Sequence, residues 1–188
     1  VYVLLQRREI LNFFKSLGKA MFKENTYKSL GRYFNRTNEI FFNFIAGQVI
    51  DGFVVGVITS IAMLTMGVKY AVPLGFMIGL FNLIPYFGAI IAVIIATLIT
   101  FLTGGLTQAI FMVIVVTILQ QIDANIINPK IIGNSLEISQ LLVIFAVTVG
   151  GAYMGVWGMF LAVPIIAVIK LFITDYIEYK NKIKQTQE

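Results

Sequence analysis

The sequence predicts an all-α, polytopic transmembrane protein with broken or re-entrant helices and an N-terminal amphipathic interfacial region. Of its 188 residues, 59% are hydrophobic and 12% are charged, whereas soluble domains are about 45–50% apolar. The apolar residues form long runs separated by short polar or glycine-rich stretches, and most basic residues lie near the two ends. A chain this apolar could not cover its surface in water, so lipid is the expected solvent.

The composition excludes several classes of enzyme. The chain has no Cys and no His, which removes thiol and imidazole chemistry, disulfides and Cys/His zinc sites. It has no P-loop and no GxSxG nucleophile motif. An intramembrane aspartyl protease would need two aspartates on facing helices, and Asp51 and Asp123 lack any recognisable protease context. We therefore expect no enzyme activity, no cofactor and no metal.

The basic residues predict the orientation of the chain. Eight of the 14 Lys and Arg residues lie in the first 36 positions, and Lys180, Lys182 and Lys184 lie at the other end. Basic ends that flank membrane spans favour the cytoplasmic side and anionic lipids over nucleic acid. We expect both ends on the cytoplasmic side of the membrane. Because the chain starts at Val1, we expect a piece of a longer protein.

Residues 1–39 form the first predicted region. Residues 1–5 are interpreted as the tail of an earlier span, and residues 9–38 alternate apolar and basic positions at helical spacing. One or two interfacial helices on an anionic leaflet are expected, and a cytoplasmic helical hairpin packed on itself is the alternative. The transport domain is predicted over residues 40–175, and residues 176–188 form a basic cytoplasmic tail.

The apolar runs predict the spans. Residues 40–67 and 106–122 each have the length of one crossing, since about 20 residues cross a bilayer. Residues 71–103 and 138–173 are too long for one straight helix, and each is interrupted near its middle. Such paired broken segments are the best sequence-level indication of a transporter binding site. The residues predicted to break helices are Pro85, Gly88, Pro129, Gly150, Gly151, Gly155, Gly158 and Pro164.

The break around Pro85 has two interpretations. Proline removes a backbone donor and clashes with the preceding turn, so Asn82–Gly88 should interrupt the run 71–103. The result is either a sharply kinked helix or a re-entrant hairpin. Small residues give a second pattern, because three GxxxG motifs predict helix faces that allow close backbone approach. They are Gly52/Gly56, Gly75/Gly79 and Gly151/Gly155.

Two polar features interrupt the spans. Asp51, with Gln48 three residues earlier, is an ionisable residue inside the first span, where a charge costs about 2.5–3.5 kcal/mol on insertion scales. It is either a proton or cation site or a structural carboxylate. The second feature is the stretch QQIDANIINPKIIG, residues 120–133. On a helix Gln121 and Asn125 share a face, and Pro129 is expected to turn Asn128 away from helix. A plain loop and a cargo-binding segment both fit this stretch.

The ordered motifs resemble those of the AI-2E transporters, a bacterial inner-membrane family named for an exporter of the signal autoinducer-2. The matching stretches are Gly47-Gln48, Gly67 with Ala71-Val72-Pro73-Leu74, Gly79–Gly88, the set Gln121, Asn125, Pro129 and Gly133, and Gly150–Pro164. The chain is similar to the C-terminal half of such a protein. It departs from the family's common residues at Ala46, at Ala89 and around Ser139-Gln140, which weakens any transfer of substrate.

The resemblance implies a secondary transporter that exports a small polar solute, with autoinducer-2 as one candidate, and it implies a homo-oligomer. Sodium(lithium)/proton antiport, which the family also includes, is the alternative, and a membrane scaffold without flux is the second alternative. The residues expected to couple an ion are Asp51 and Gln48. The residues expected to bind substrate are Asn82, Pro85, Gln121, Asp123 and Asn125.

Overall fold

The computed structural model describes residues 24–132 and 138–185. By its contacts the chain divides into two compact units, residues 1–39 and residues 40–188. Most of the first unit lies outside the described residues, including the expected span end at 1–5 and the expected interfacial helix up to residue 23. Gly133 of the polar stretch and the last three residues lie outside them as well.

The described residues form helices and connecting turns, without a strand, which confirms the all-α prediction. Three helices are long and apolar enough to cross a membrane: Ser29–Thr65, Phe87–Ile131 and Gln140–Gln185. The elements are α1 (Glu24–Thr65), α2 (Ala71–Phe81), α3 (Phe87–Ile122), a π-turn (Asp123–Ile127), α4 (Asn128–Ile132) and α5 (Gln140–Gln185).

α1 and α2 pack through glycines. On α1 the buried positions recur every three or four residues, as expected for one helix face, and include Gly52 and Gly56. A Cβ on Gly52 would lie 2.6 Å from the carbonyl oxygen of Gly79, and one on Gly56 would lie 3.2 Å from that of Gly75. The first two GxxxG motifs therefore face each other, with the two helices antiparallel.

The segment after α2 is a re-entrant hairpin. α2 ends at Phe81, and α3 begins at Phe87 after a break in which Tyr86 has φ 65° and ψ −57°. Gly88 lies against the carbonyl group of Phe81, where no side chain would fit. The chain thus turns back on itself around Pro85, and the helix after the break runs beside α2.

A second turn lies inside α3, at Gly105, with φ 82° and ψ 177°. Just beyond it, the side-chain nitrogen of Gln108 donates to the Met66 carbonyl oxygen over 3.0 Å, so this turn lies beside the turn that follows α1. A merely kinked continuation of α2 would carry Gln108 about 40 Å beyond the break. The re-entrant interpretation of residues 71–103 is therefore correct, and the kinked-helix interpretation is wrong.

The polar stretch after α3 stays helical, contrary to the expected break at Pro129. Asn128 has φ −57° and ψ −47°, and its backbone N–H bonds to the Asp123 carbonyl five residues earlier, which defines the π-turn. Pro129 is the second residue of α4. Because α4 continues directly from the π-turn, Pro129 lies in a continuous helical path, where its ring crowds the carbonyl of Asn125 four residues earlier and local π geometry can relieve the clash.

α5 is also a hairpin rather than one straight helix. Its chain reverses at Gly155, with φ 59° and ψ −141°, and a Cβ on Gly150 would lie 2.5 Å from the carbonyl oxygen of Gly158. Residues eight apart in a straight helix are about 12 Å apart. The Gly151/Gly155 motif is therefore not a packing face, because Gly155 is the turn, and Gly150 and Gly158 form the close contact.

The remaining predicted breaks are helical. Gly88 lies in the first turn of α3, and Gly150, Gly151 and Gly158 lie in the arms of α5. Pro164 is buried inside the second arm, which continues through it. This arm packs on α1, where the rings of Phe44 and Phe160 are 6.0 Å apart. The hairpin thus lies beside the part of α1 that precedes Gln48.

Candidate functional site

Asp51 lies in the middle of the apolar part of α1. Along the helix, Ile40 and Thr65 lie about 16 Å and about 21 Å from it, at 1.5 Å per residue. Its side chain is fully buried, with 0% exposed, and the neighbouring Gln48 is 1% exposed. Buried polar groups need hydrogen-bond partners, and the break after α2 and the start of α4 supply them.

Four polar side chains form a closed ring of hydrogen bonds. The Nδ2 atom of Asn82 donates to Asp51 Oδ2 over 2.9 Å, and Asn128 Nδ2 donates to the same oxygen over 3.1 Å. Asn128 Nδ2 also lies 3.4 Å from Gln48 Oε1. Gln48 Nε2 closes the ring by donating to the carbonyl oxygens of Asn82 and Leu83, at 3.2 Å and 3.3 Å. The ring joins α1, the break and α4.

Asp123 joins the ring through Asn82. The Nδ2 atom of Asn82 donates to Asp123 Oδ2 over 3.1 Å as well as to Asp51 Oδ2 over 2.9 Å, so these two oxygens are at most 6.0 Å apart. Asp123 is 5% exposed. The structure therefore brings together the predicted ion-coupling pair Gln48 and Asp51 and the predicted substrate residues Asn82 and Asp123.

The hydrogen-bond acceptors that remain unpaired in this cluster define its chemistry. Both hydrogens of the Asn82 amide are committed to carboxylates, and Oδ1 of Asp51 and Oδ1 of Asp123 accept no hydrogen bond from the described residues. The structure records no ion pair between either carboxyl group and a described Lys or Arg. Two buried carboxylates this close cannot both remain charged without a counter-charge. The cluster is suited to a proton, a cation or a hydrogen-bond donor.

A nearby amide extends the cluster along α3. The Nε2 atom of Gln120 is buried and has no hydrogen-bond partner within residues 24–132 and 138–185. Gln120 lies one turn before Asp123, on the same face. The oxygen and nitrogen of such an amide can exchange places by rotation. Gln120 can therefore present either a donor or an acceptor to a ligand beside Asp123.

The other predicted substrate residues lie apart from the ring. Gln121 and Asn125 are exposed, and Asn125 Nδ2 donates to the backbone carbonyl of Gln121 over 2.7 Å. Pro85 is half-buried in the break, where its carbonyl accepts the Phe87 N–H over 2.8 Å. Gln121 and Asn125 share a face, as predicted, but it is a different face from that of Asp123.

Asn128 belongs to the ring although the sequence did not indicate it. On an α-helix a residue five positions after Asp123 would point about 140° away from it. The π-turn removes this offset, and a π-turn is frequent at functional sites. Among the described residues, no group of three or more acidic side chains is placed to hold a metal ion.

The sequence comparisons identify the family. A model of the AI-2E family transporters matches residues 1–178. The chain belongs to the AI-2E family. Two Bacillus subtilis relatives carry the curated names "Putative transport protein YrrI", 35% identical over 74% of this chain, and "Putative transport protein YueF", 32% identical over 81%. A third, "Putative transport protein YhhT" of Escherichia coli, is 27% identical over 62% of this chain. No solved structure gives a significant match.

The AI-2E assignment and the three apolar helices together indicate that this chain is part of a multi-pass membrane protein. The chain spans 39% of the length of the first Bacillus relative and 41% of the second. The chain, together with its buried polar ring, therefore corresponds to less than half of the length of each of these two relatives.

Proposed function

We propose that this AI-2E protein is a secondary transporter of the bacterial inner membrane and that the ring around Asp51 and Asp123 is its coupling site. The observation that carries the proposal is the pair of buried carboxyl groups bridged by the Asn82 amide, one of which lies in the middle of the apolar part of α1. A carboxylate at that depth is costly. Intramembrane ionisable residues of this kind typically mark ion or substrate pathways.

The re-entrant hairpin supports a site that opens. Its break carries Asn82 to the ring, and the backbone carbonyls of Asn82 and Leu83 at the end of α2 are capped by the Gln48 amide. Irregular backbone at membrane depth is tolerated where it lines protein or a wet cavity. Movement of Gln48 would release these carbonyls as further oxygen ligands beside the two carboxyl groups.

The cargo is a small polar solute or a cation. The oxygens left without partners on Asp51 and Asp123 accept hydrogen bonds or bind positive charge, which favours donor-bearing neutral solutes and cations over anions. Export of a small polar solute, with autoinducer-2 as a candidate, remains the primary proposal. Sodium(lithium)/proton antiport is the second candidate, and the close carboxyl pair is the observation that favours it.

The test is transport by the full-length protein in proteoliposomes. For antiport, Na⁺ or Li⁺ added outside should dissipate an imposed proton gradient, and Asp51→Asn should abolish this response. For solute export, Asn82→Ala or Asp123→Ala should reduce uptake of the solute at least about 10-fold, by analogy with the loss of other ligand-binding hydrogen bonds. Exposed Gln121→Ala serves as the comparison, because Gln121 lies outside the ring.

A scaffold without flux predicts a different result. A broad screen of polar solutes and monovalent cations would then show no movement above empty liposomes, and the carboxyl variants would alter stability alone. Wild-type transport that is unchanged in Asp51→Asn and in Asp123→Asn would contradict the proposed coupling site.

A further inference from the structure

Asn128 donates hydrogen bonds to both side chains that α1 contributes to the ring. Its amide nitrogen donates to Asp51 Oδ2 over 3.1 Å and to Gln48 Oε1 over 3.4 Å. Asp51 Oδ2 thus accepts two bonds, one from Asn82 and one from Asn128, while Oδ1 of the same carboxyl group accepts none from the described part of the chain. Asn82 and Asn128 together therefore leave Oδ1 of Asp51 available to a ligand.

The π-turn is what places Asn128 there. The Asn128 N–H bonds to the Asp123 carbonyl across five residues. In an α-helix that carbonyl would accept its hydrogen bond from the residue four positions later. A π-turn is equivalent to one residue inserted into an α-helix. The insertion lets Asp123 and Asn128 face the same side, one toward Asn82 and the other toward Asp51.

We propose that Asn128 is a positioning residue of the coupling site and that the π-turn Asp123–Ile127 exists to hold it in register. Asn128 fixes the Asp51 carboxylate by binding its Oδ2 atom, and it fixes the Gln48 amide that caps the end of α2. The proposal depends on the proposed transport role for its activity readout only, because the hydrogen bonds and their register are testable without flux.

The competing explanation is that the turn only accommodates Pro129. A proline ring clashes with the carbonyl four residues before it, here that of Asn125, and local π geometry can relieve such a clash. That explanation predicts that Pro129→Ala lets the segment relax to an α-helix, which would rotate Asn128 away from Asp51. Our proposal predicts that Pro129→Ala keeps the contact, because the two hydrogen bonds of Asn128 hold the turn.

The test shifts the helical register of Asn128 by single-residue deletions in the full-length protein, reconstituted in proteoliposomes. Deletion of Ala124, an exposed residue inside the π-turn, should convert the turn to α-helix and keep Asn128 on the same face. Deletion of Ile118, an exposed residue in regular helix, should rotate Asp123 and Asn128 by about 100°. The relocation variant Ile127→Asn/Asn128→Ala moves the amide by one position. Its amide should not reach Asp51, because position 127 does not lie on the helix face that contacts α1.

The first readout is chemical. Dicyclohexylcarbodiimide takes a proton from a buried carboxylic acid, the carboxylate adds to its central carbon, and acyl migration leaves a stable N-acylurea on the aspartate. Loss of the Asn128 donor leaves the Asp51 carboxylate less well hydrogen-bonded and so more often protonated. Asn128→Ala and the relocation variant should label Asp51 several-fold faster by peptide mass spectrometry, whereas the Ala124 deletion and Pro129→Ala should label at the wild-type rate.

The second readout is transport. Asn128→Ala should raise KM for the transported solute or cation several-fold more than it lowers kcat, since binding geometry is lost. The inference is overturned if the Ala124 deletion behaves like the Ile118 deletion, if Pro129→Ala labels like Asn128→Ala, or if Asn128→Ala labels at the wild-type rate. If the variants label in the expected pattern but the wild-type protein transports nothing, the proposed function is overturned and the role of Asn128 stands. The Ala124 deletion keeps the test decisive if Asn128→Ala does not fold.

Discussion

The side chain of Gln108 donates to the backbone carbonyl of Met66 over 3.0 Å and joins the turn in α3 to the end of α1. Gln108→Leu keeps the size of the side chain but leaves the Met66 carbonyl without this donor. The bond is part-buried, and the loss of a typical intramolecular hydrogen bond costs about 0.5–1.5 kcal/mol. We expect a loss of that size in the free energy of unfolding, measured by denaturant titration in detergent.

The matched control for Gln108→Leu is Gln140→Leu. Gln140 is exposed at the start of α5, and its replacement should change stability by less than about 0.5 kcal/mol. Equal effects of the two substitutions would show that the Gln108 bond does not hold the turn.

The glycine contact between α1 and α2 gives a second prediction. Gly79→Ala would place a methyl group against the Gly52 carbonyl oxygen and the Gly56 backbone, so the two helices must move apart. Overpacking of this kind costs about 1–3 kcal/mol, and the thermal unfolding midpoint should fall. Gly31→Ala is the control, because a Cβ there meets nothing within 4 Å and alanine is the better helix former. A stable Gly79→Ala protein would contradict the close packing.

The two carboxyl groups should act as a unit. If Asp51 and Asp123 share one coupling function through Asn82, Asp51→Asn and Asp123→Asn should each reduce transport strongly, by about 100-fold or more, and the double variant should be no slower than either. Effects of residues that act together are not additive. Initial rates in proteoliposomes, compared in a double-mutant cycle, check this. Independent roles for the two aspartates would instead give reductions that multiply.

Gly155 gives a prediction about backbone conformation alone. A Cβ on Gly155 meets nothing within 4 Å, but its φ of 59° and ψ of −141° lie in a region that only glycine adopts readily. Gly155→Ala and Gly155→Asn should both lower stability by about 1–3 kcal/mol, as measured by thermal unfolding. Asparagine tolerates the left-handed helical region, so Gly155→Asn would keep the turn stable only if residue 155 adopted that conformation. A stabilised Gly155→Asn protein would therefore contradict the described turn.

The parts of the site that depend on composition and simple periodicity were predictable from the sequence. Asp51 and Gln48 stand out because they are polar residues three apart in an apolar run, and Asn82 stands out because it precedes Pro85. Their burial in one ring agrees with the expectation that polar groups at membrane depth line protein. The partner glycines on α1 and α2 also follow from their spacing, although the sequence does not say which motifs face each other.

Asn128 could not be found this way, because its place depends on a helix register that the sequence does not display. A five-residue spacing means opposite faces on an α-helix and the same face across a π-turn. The choice between a kinked helix and a re-entrant hairpin at Pro85 was open for a similar reason. Proline marks the interruption, but the reversal also needs the contact of Gly88 with Phe81 and the bond from Gln108 to Met66.

The re-entrant hairpin also determines how sidedness must be counted along this chain. The segment between Gly67 and Gly105 leaves one end of the bundle and returns beside its point of departure, so it contributes nothing to the parity of crossings. A hydropathy count that scores the run 71–103 as a traverse would invert the assigned side of every later residue. Reporter domains fused at residues 68 and 106 should therefore give the same compartment signal, whichever way the protein is inserted.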